Sequence, residues 1–380
     1  MKARVILWNI NGNGKKWLDD NIHAERVEIV QVIPPHEKDV QLITDDVDMI
    51  WLATEIIDLG LMKMLDYVGV HSERVIFIYS LASWYEHFDQ AIFLLKDRAG
   101  GMRRSLLWNY ECNTKDYCSC KVEDLTFIAS ATDRVIMPLM MRDGQVWSAE
   151  EMHLFYQLAH EYYELRDDVP GYFLDLGANI GTTSIYFRKK VDTSVEIIAF
   201  EPDDSNNKLL QINLLLNGLV GEAYVESFGL SDRRENKVLY YDEINPGGTS
   251  LVRKSGGRTT EVPLISLDEY FAESGLDDGK IKYIWIDTEG FEPLVVGGAM
   301  NILQKRDIPL YMEFNPYLWN QQGLLQTMAD YLRAAGYTGY IIIQQYMEGK
   351  REVYPVETLM AFKDVGQDFI RDIFLIKRNK

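Results

Sequence analysis

Three acidic residues follow a short apolar run in the last third of the chain. Asp287, Glu289 and Glu292 come directly after residues 281–286, whose sequence IKYIWI is typical of a buried strand. Asp287 and Glu289 are two positions apart, so in an extended segment both side chains could face one crevice. A carboxylate beside a hydroxyl group can remove its proton as a general base. We therefore predict that Asp287 is catalytic and that Glu289 supports it.

Two other roles for these carboxylates are open. A carboxylate pair could hold a divalent cation that acidifies a substrate hydroxyl group. Glu289 and Glu292 could instead stabilise the first turn of a following helix, where carboxylates are favoured. Our preferred interpretation includes no metal ion, and it treats Glu313, in the next apolar run, as a weaker candidate for the base.

A glycine turn precedes these carboxylates by about a hundred residues. Gly177 and Gly181 stand four positions apart between an apolar run and a segment that can begin a helix. A strand, a glycine turn and a helix start can hold a nucleotide-like ligand, because the backbone approaches closely and its N–H groups are free. The residues predicted to hold such a ligand here are Asp175, Gly177, Ala178, Asn179, Gly181 and Thr182.

Two further apolar runs predict the next strands of the same sheet. The first covers residues 196–200 and ends at Glu201-Pro202, and an acidic residue at this place can accept hydrogen bonds from two ribose hydroxyl groups. The second covers residues 223–228 and leads into Gly229. Ligands bind at the carboxyl ends of the strands in an open α/β sheet, so we predict one crevice there. Its further cofactor-binding residues would be Glu201, Pro202, Ser227, Phe228 and Gly229.

Several motifs occur in a fixed order along the chain, and together they resemble a known family. DLGANIG, AFEPD, FGLSD, GGTSL, LISLDEY and WIDTEGFEPLVVGGA resemble the FkbM family of S-adenosylmethionine-dependent methyltransferases, over roughly residues 152–380. The resemblance implies an α/β fold with a Rossmann-like class I methyltransferase sheet of seven strands, the last pair antiparallel. It implies S-adenosylmethionine as cofactor and methyl transfer, usually to a hydroxyl oxygen on a sugar or natural product.

The first hundred residues predict a smaller Rossmann-like α/β domain. Apolar runs at residues 4–8, 27–33, 48–53 and 74–79 alternate with helical stretches, which favours a parallel sheet. The segment resembles the dinucleotide-binding type of domain that often precedes FkbM domains. Its glycine fingerprint is degraded to Asn9-x-Asn11-x-x-Gly14, and Pro34-Pro35 stand where an acidic ribose-binding residue is expected. We interpret it as a scaffold or docking domain.

Two other functions compete with methyl transfer. The chain could be a nucleotide-sugar or NAD-binding protein that acts through the N-terminal domain, or a non-catalytic assembly protein. The degraded fingerprint argues against the first, and the intact DLGANIG and IDTEGFE motifs argue against the second.

The predicted domain organisation has three parts: residues 1–99, a connecting segment at 100–149, and the methyltransferase domain at 150–380. Ser148 and Glu151 fit a capping box, so a helix is predicted from there to about residue 166. The connecting segment contains all three cysteines, whose spacing matches no zinc site.

The composition limits the possible partners. The chain has 380 residues, a hydrophobic content of 47% and a formal net charge of −19, which argues against nucleic acid and anionic membranes as partners. No stretch is long and apolar enough to span a bilayer or to act as a signal peptide, so a cytoplasmic location is expected. We predict a small-molecule or glycan acceptor and allow for a homo-oligomer.

Overall fold

The protein divides into two compact units. The computed structural model describes residues 3–8, 27–33, 49–52, 75–77, 116–133, 135–242, 248–254 and 257–377. One unit comprises Met1–Cys118 and Met137–Gly144, and the other comprises Ser119–Ile136 and Gln145–Lys380. The boundaries predicted at residues 99 and 149 remain predictions.

The first unit contains a four-stranded parallel sheet, as predicted. Its strands are β1 (Ala3–Trp8), β2 (Val27–Ile33), β3 (Met49–Leu52) and β4 (Val75–Phe77). Their order across the sheet is β2-β1-β3-β4. The degraded glycine fingerprint, the Pro34-Pro35 pair and Cys112 lie outside the described residues, so the relation to dinucleotide-binding domains stays a prediction.

The remaining described strands follow in chain order, and helices separate most of those in the large sheet. They are β5 (Tyr117–Val122), β6 (Leu125–Ser130), β7 (Gly171–Leu176), β8 (Val195–Phe200), β9 (Ala223–Glu226), β10 (Gly229–Leu230), β11 (Glu235–Tyr240), β12 (Thr259–Ile265), β13 (Ile281–Ile286), β14 (Leu310–Phe314), β15 (Tyr337–Ile342), β16 (Tyr354–Pro355) and β17 (Arg371–Lys377).

Ten helices are described. They are α1 (Ile136–Asp143), α2 (Ala149–Tyr162), α3 (Thr182–Tyr186), α4 (Asp204–Leu216), α5 (Leu267–Ser274), α6 (Glu292–Gly297), α7 (Met300–Lys305), α8 (Pro316–Gln321), α9 (Leu325–Ala334) and α10 (Ile343–Met347). A π-helical turn at Phe187–Val191 continues α3, and short 3-10 segments lie at Asp278–Lys280 and Val356–Phe362. None of the described helices has both the length and the apolar composition needed to cross a lipid bilayer.

A large, mostly parallel sheet forms the centre of the second unit. Its order is β16-β15-β17-β14-β13-β7-β8-β9. The pairs from β9 to β14 are parallel, whereas β17 runs antiparallel between β14 and β15. This confirms the predicted α/β sheet with an antiparallel end, and the two-residue β16 adds an eighth strand. A separate sheet, β10-β12-β11, packs its apolar side chains into the same core.

The central strands are apolar because both of their faces are covered. Every residue of β7, β13 and β14 is buried, as expected for parallel strands between two layers of helices. On one face Phe173 stacks on Phe187, with ring centroids 4.1 Å apart, and Trp285 stacks on Tyr311 at 3.6 Å. Such packing fixes the strands, and therefore the positions of the side chains at their carboxyl ends.

The hairpin of β5 and β6 is joined to α4 by two asparagine side chains. Asn217 Oδ1 accepts from Thr126 N at 3.0 Å, and its Nδ2 donates to Thr126 O at 2.8 Å. One turn earlier, Asn213 makes the same pair of bonds to Ile128, at 2.7 and 3.0 Å. Asn213 Nδ2 also donates to Ile180 O in the glycine turn, at 2.8 Å. Part of the predicted connecting segment is thus hydrogen-bonded to the sheet domain.

The helix predicted after Ser148 has different limits in the structure. Ser148 precedes α2 but has a left-handed φ of 56° and makes no side-chain cap, so the predicted capping box is wrong. The helix also ends at Tyr162, because Tyr163 is extended. After β13 the chain forms two short helices, with an interruption between α6 and α7. There Gly298 packs against the carbonyl of Ser231, which a Cβ atom would approach to 1.9 Å.

Two short segments complete these sheets. The partner of β11 is β12, and the loop between them contributes one bridge, from Ser250 to Tyr240. β15 stops at Ile342, because Ile343 begins α10.

Candidate active site

The glycine turn joins the carboxyl ends of β7 and β8. The N–H groups of Gly177 and Ala178 both donate to the carbonyl of Phe200, at 3.1 and 3.0 Å. The N–H of Asn179 donates to Glu201 Oε2 at 2.9 Å. Gly177, Asn179 and Gly181 have left-handed φ angles of 102°, 49° and 86°, and this conformation explains the glycines at the two ends of the turn.

Gly177 allows a close approach between the ends of β7 and β13. The N–H of Asp287 donates to Leu176 O at 2.9 Å, and a Cβ atom on Gly177 would lie 1.8 Å from the carbonyl oxygen of Asp287. The turn and the catalytic candidate are therefore adjacent, and their separation is fixed by main-chain contacts.

We expect Gly177→Ala to lower the free energy of unfolding by roughly 3 kcal/mol or more, because the methyl group meets rigid backbone. Gly218→Ala is the matched control, since Gly218 also has a left-handed φ, of 71°, but has no atom within 4 Å of its ideal Cβ. It should cost only about 1–2 kcal/mol. Urea unfolding of both variants measures the difference, and equal losses would contradict the close approach.

Glu201 lies at the end of β8 and is only 7% exposed. Its Oε2 accepts from Asn179 N, and its Oε1 accepts from Asp203 N at 2.8 Å. Burial raises the pKa of Glu201 to about 8; the two N–H donors oppose this shift, whereas the charges of Asp203 and Asp175 add to it. Each carboxylate oxygen has one protein donor and can accept another hydrogen bond from a ligand hydroxyl group.

A first cavity lies where β7, β8, β10 and β13 end. Five of the predicted cofactor-binding residues line it, together with both catalytic candidates: Gly177, Asn179, Glu201, Pro202, Gly229, Asp287 and Glu289. Phe200, Leu230, Leu239 and Leu251 supply apolar walls, and Asn206 and Thr249 add polar groups. The predicted crevice at the strand ends is thus present in the structure, and it contains a buried carboxylate beside apolar surface.

The other predicted cofactor-binding residues lie elsewhere. Asp175 is buried beneath the turn, where it accepts from Ser184 Oγ at 2.5 Å, and burial raises its pKa to about 6. Phe228 packs near Phe200, with centroids 5.8 Å apart, and lines a separate groove near α5. Ser227 and Gly181 line none of the three described cavities, while Ala178 and Thr182 line a second cavity.

Glu292 holds the loop that carries the catalytic candidates. It is fully buried, and its Oε1 accepts from the N–H groups of Thr288 and Gly290, both at 3.1 Å. Its Oε2 accepts from Trp319 Nε1 at 2.8 Å. Glu292 is the first residue of α6 and lines neither cavity, and its carboxylate bonds to the preceding loop and to Trp319.

Glu289 differs from Glu292 in conformation and in partner. It has a left-handed φ of 54°, its carboxylate pairs with Arg253, and its carbonyl accepts from Ser250 Oγ at 2.8 Å. The loop before β12 is thereby tied to the loop after β13. Glu289 lines both cavities, so it is available to a ligand as well as to Arg253.

The second cavity adjoins the first and is more acidic. The two share Gly177, Asn179, Asp287 and Glu289 in their linings. Five carboxylate side chains line the second cavity: Glu151, Asp287, Glu289, Glu313 and Asp372. Trp147, Trp285, Val135, Ile136 and Ile370 add apolar surface, and Gln344 exchanges two hydrogen bonds with Asp372 at 2.6 and 3.0 Å.

Asp287 is exposed and lines both cavities, where protein atoms surround it on several sides. Loss of bulk water raises the pKa of Asp287 to about 7, and the carboxylates of Asp372, Glu292 and Asp175 contribute to the rise. The guanidinium of Arg253 opposes it. A carboxylate that titrates near neutral pH is suited to removing a proton from a hydroxyl group.

These raised pKa values predict that the free protein loses stability as the pH rises. Asp175 and Asp372 have pKa values raised to about 6, Asp287 to about 7 and Glu201 to about 8. Between their unfolded values near pH 4 and these folded values, the folded chain binds more protons than the unfolded chain, so acidification within this window stabilises it.

The Tm of the free protein should therefore be several degrees higher at about pH 5.5 than at about pH 8.5. Asp192, whose pKa is lowered, titrates below this window and does not oppose the trend. Differential scanning calorimetry at the two pH values tests it. Asp287→Asn should reduce the difference, and a Tm that rises with pH would be the contrary result.

Sequence reasoning missed several residues that the fold brings to the site. Arg253, Asp372 and Trp147 belong to no local motif, and they reach the site through long-range topology. Glu313 was named as the weaker candidate for the base, and it lines the second cavity. Among the described residues, no group of three or more histidine, cysteine or acidic side chains is arranged to hold a metal ion.

Comparison with known families agrees with this geometry. Residues 175–338, which include the glycine turn, Glu201 and the carboxylates after β13, match the family model described as the methyltransferase FkbM domain. This segment is similar to FkbM methyltransferase domains. The matched segment runs from the end of β7 to the start of β15, whereas β17, whose Asp372 lines the second cavity, lies outside it.

A curated relative and two solved structures are similar to parts of the chain. Methyltransferase sdnD from Sordaria araneosa is 30% identical over 156 residues, which cover 34% of this chain and 60% of that protein. A methyltransferase FkbM from Methylobacillus flagellatus KT aligns over 98% of this chain and 90% of its own, with 12% identity and a TM-score of 0.35. The N-terminal domain of human METTL16 aligns over 73% and 94%, with 10% identity and a TM-score of 0.37.

Proposed function

We propose that this protein transfers a methyl group from S-adenosylmethionine to a hydroxyl oxygen of a sugar, glycan or other natural product. The FkbM domain and the methyltransferase relative support methyl transfer. The proposed arrangement of donor and acceptor rests on one observation: Asp287 and Glu289 line both cavities. Transfer requires a donor and an acceptor on opposite sides of one reacting point, and two adjoining cavities offer that arrangement.

The first cavity suits the nucleoside part of the donor. Glu201 is buried there with one unused acceptor position on each oxygen, which fits a pair of ribose hydroxyl groups. Pro202, Phe200 and Leu230 offer an apolar surface for a base, and the glycine turn allows close approach of the backbone. The residues present therefore fit S-adenosylmethionine.

The chain's own groups would carry out the remaining chemistry. When bound, the cofactor supplies an electrophilic methyl carbon. Asp287 would accept the proton of the acceptor hydroxyl group, whose oxygen would bond to the methyl carbon as the carbon–sulfur bond of the donor breaks and S-adenosylhomocysteine leaves. Glu289, restrained by Arg253, holds the acceptor in position from the same loop. Glu292 and Trp319 keep that loop fixed, so the direction of attack is maintained.

Isothermal titration of the full chain with S-adenosylmethionine and S-adenosylhomocysteine tests the donor site. A methyl-transfer assay with isotopically labelled donor and a set of hydroxylated sugars and natural products tests the acceptor class. Absence of binding by both donor compounds would refute the proposal. Binding followed by labelling of nitrogen or carbon, rather than oxygen, would refute the hydroxyl acceptor alone.

A further inference from the structure

We infer that the second cavity recognises an acceptor that carries a protonated amine, as in an amino sugar, with Glu313 as the anchoring residue. This inference rests on the proposed function and names the class of its substrate. The amine is bound and is not itself methylated, while a neighbouring hydroxyl group lies beside Asp287. The cavity, its charge and one buried carboxylate oxygen carry the inference.

The lining of the second cavity has a strong charge imbalance. Of its described residues, five are acidic and none is lysine, arginine or histidine. Arg253 pairs with Glu289 but does not belong to the lining. Carboxylates that line the same concave site repel one another, and a ligand cation relieves this repulsion.

Glu313 provides the second, independent observation. It is 8% exposed, and its Oε2 has no hydrogen-bond partner within the described part of the chain. Buried polar atoms are nearly always satisfied, so an orphaned carboxylate oxygen in a cavity wall indicates a missing donor. An ammonium group brings three N–H donors and a positive charge, and it could bond to Glu313 and Asp372 together.

Two tryptophans make the same cavity suitable for an organic cation. Trp285 is buried and stacked on Tyr311, so its position is fixed, whereas Trp147 is 40% exposed near the start of α2. Aromatic rings attract ammonium groups through their negative faces, and they also stack on the apolar faces of sugar rings. A bare metal ion is less suitable, because the described carboxylates do not converge in threes on one point.

The donor's own amino group is the competing explanation for the acidic lining. We therefore measure acceptor binding with S-adenosylhomocysteine, which retains that amino group, at saturation. Glucosamine and glucose are the probes, since they differ by an ammonium group in place of a hydroxyl group. Isothermal titration of the full chain at neutral pH should show glucosamine binding at least about tenfold tighter than glucose.

Glu313→Gln should lower glucosamine affinity by about tenfold and leave the affinity for S-adenosylhomocysteine unchanged. Glu196→Gln is the matched control, because Glu196 is exposed on β8 and lines none of the described cavities. It should affect neither affinity. If Glu313→Gln does not fold, as judged by its melting curve, Asp372→Asn replaces it with the same expected result.

The outcomes distinguish the proposed methyl transfer from the inferred recognition of an amine. Failure of S-adenosylhomocysteine to bind would refute the methyltransferase function itself. Normal binding of that compound, with equal affinities for the two sugars or no detectable binding of either, would overturn only the amine inference. Unchanged glucosamine affinity in Glu313→Gln would overturn it as well.

Discussion

Replacing Glu201 with alanine is expected to weaken binding of S-adenosylmethionine by about 100-fold or more. Glu201 is buried in the first cavity, and each of its carboxylate oxygens can accept one ligand hydroxyl group in addition to its backbone donor. Hydrogen bonds to a charged group contribute about 1.5–3 kcal/mol each, so above about pH 8, where Glu201 is ionised, the loss of two accounts for this factor. Isothermal titration of the wild-type and variant proteins measures it.

Asp203 provides a matched control two positions along the chain. It is also a buried carboxylate, but its Oδ1 accepts from Ser205 N and Asn206 N as the cap of α4, and it lines neither cavity. Asp203→Ala should cost about 1 kcal/mol of folding stability and change donor affinity little. If Glu201→Ala binds S-adenosylmethionine as tightly as the wild-type protein does, Glu201 does not contribute to donor binding.

Asp287→Asn is expected to lower turnover by a factor of about 10² to 10⁴ while donor affinity stays within about twofold, because only the general base is lost. The substitution keeps the size of the side chain, and the bond from Asp287 N to Leu176 O is unaffected since it involves only main-chain atoms. The wild-type rate should rise with pH through about 7, where Asp287 loses its proton. The variant should lack this rise.

Asp277→Asn is the corresponding control. Asp277 is exposed near the start of β13, at the opposite end of the strand from Asp287, and it accepts from Gly279 N. Its substitution should leave both turnover and the pH profile unchanged. Full activity in Asp287→Asn would mean that another group removes the proton of the acceptor hydroxyl group. Glu289 and Glu313 would then be the next residues to substitute.

The parts of the fold that sequence could predict are those with a continuous local signal. The limits of β13 and β14 match their apolar runs, because strands buried on both faces have no polar interruptions. Gly177 and Glu201 were also identifiable, since a strand end followed by glycine or by an acidic residue is a local pattern. Both residues line the first cavity, as predicted.

The residues that could not be predicted depend on contacts between distant segments. Asp372 reaches the second cavity because β17 enters the sheet between β14 and β15, an arrangement that no local spacing encodes. Arg253 meets Glu289 across 36 positions. Ser148 has the right residue type for a cap, but it adopts a left-handed φ of 56° and makes no side-chain bond to the helix N–H groups.

Asn213, in the last turn of α4, and Asn217, which directly follows the helix, bear on how short a stable fragment of this protein can be. They bond the backbone of β6 as a neighbouring strand would, and one of them also reaches the glycine turn. A fragment starting at residue 150 would leave these amides without their partners and would loosen the support of the glycine turn. A fragment that keeps this support therefore begins ahead of the β5–β6 hairpin, upstream of the segment that matches the family model.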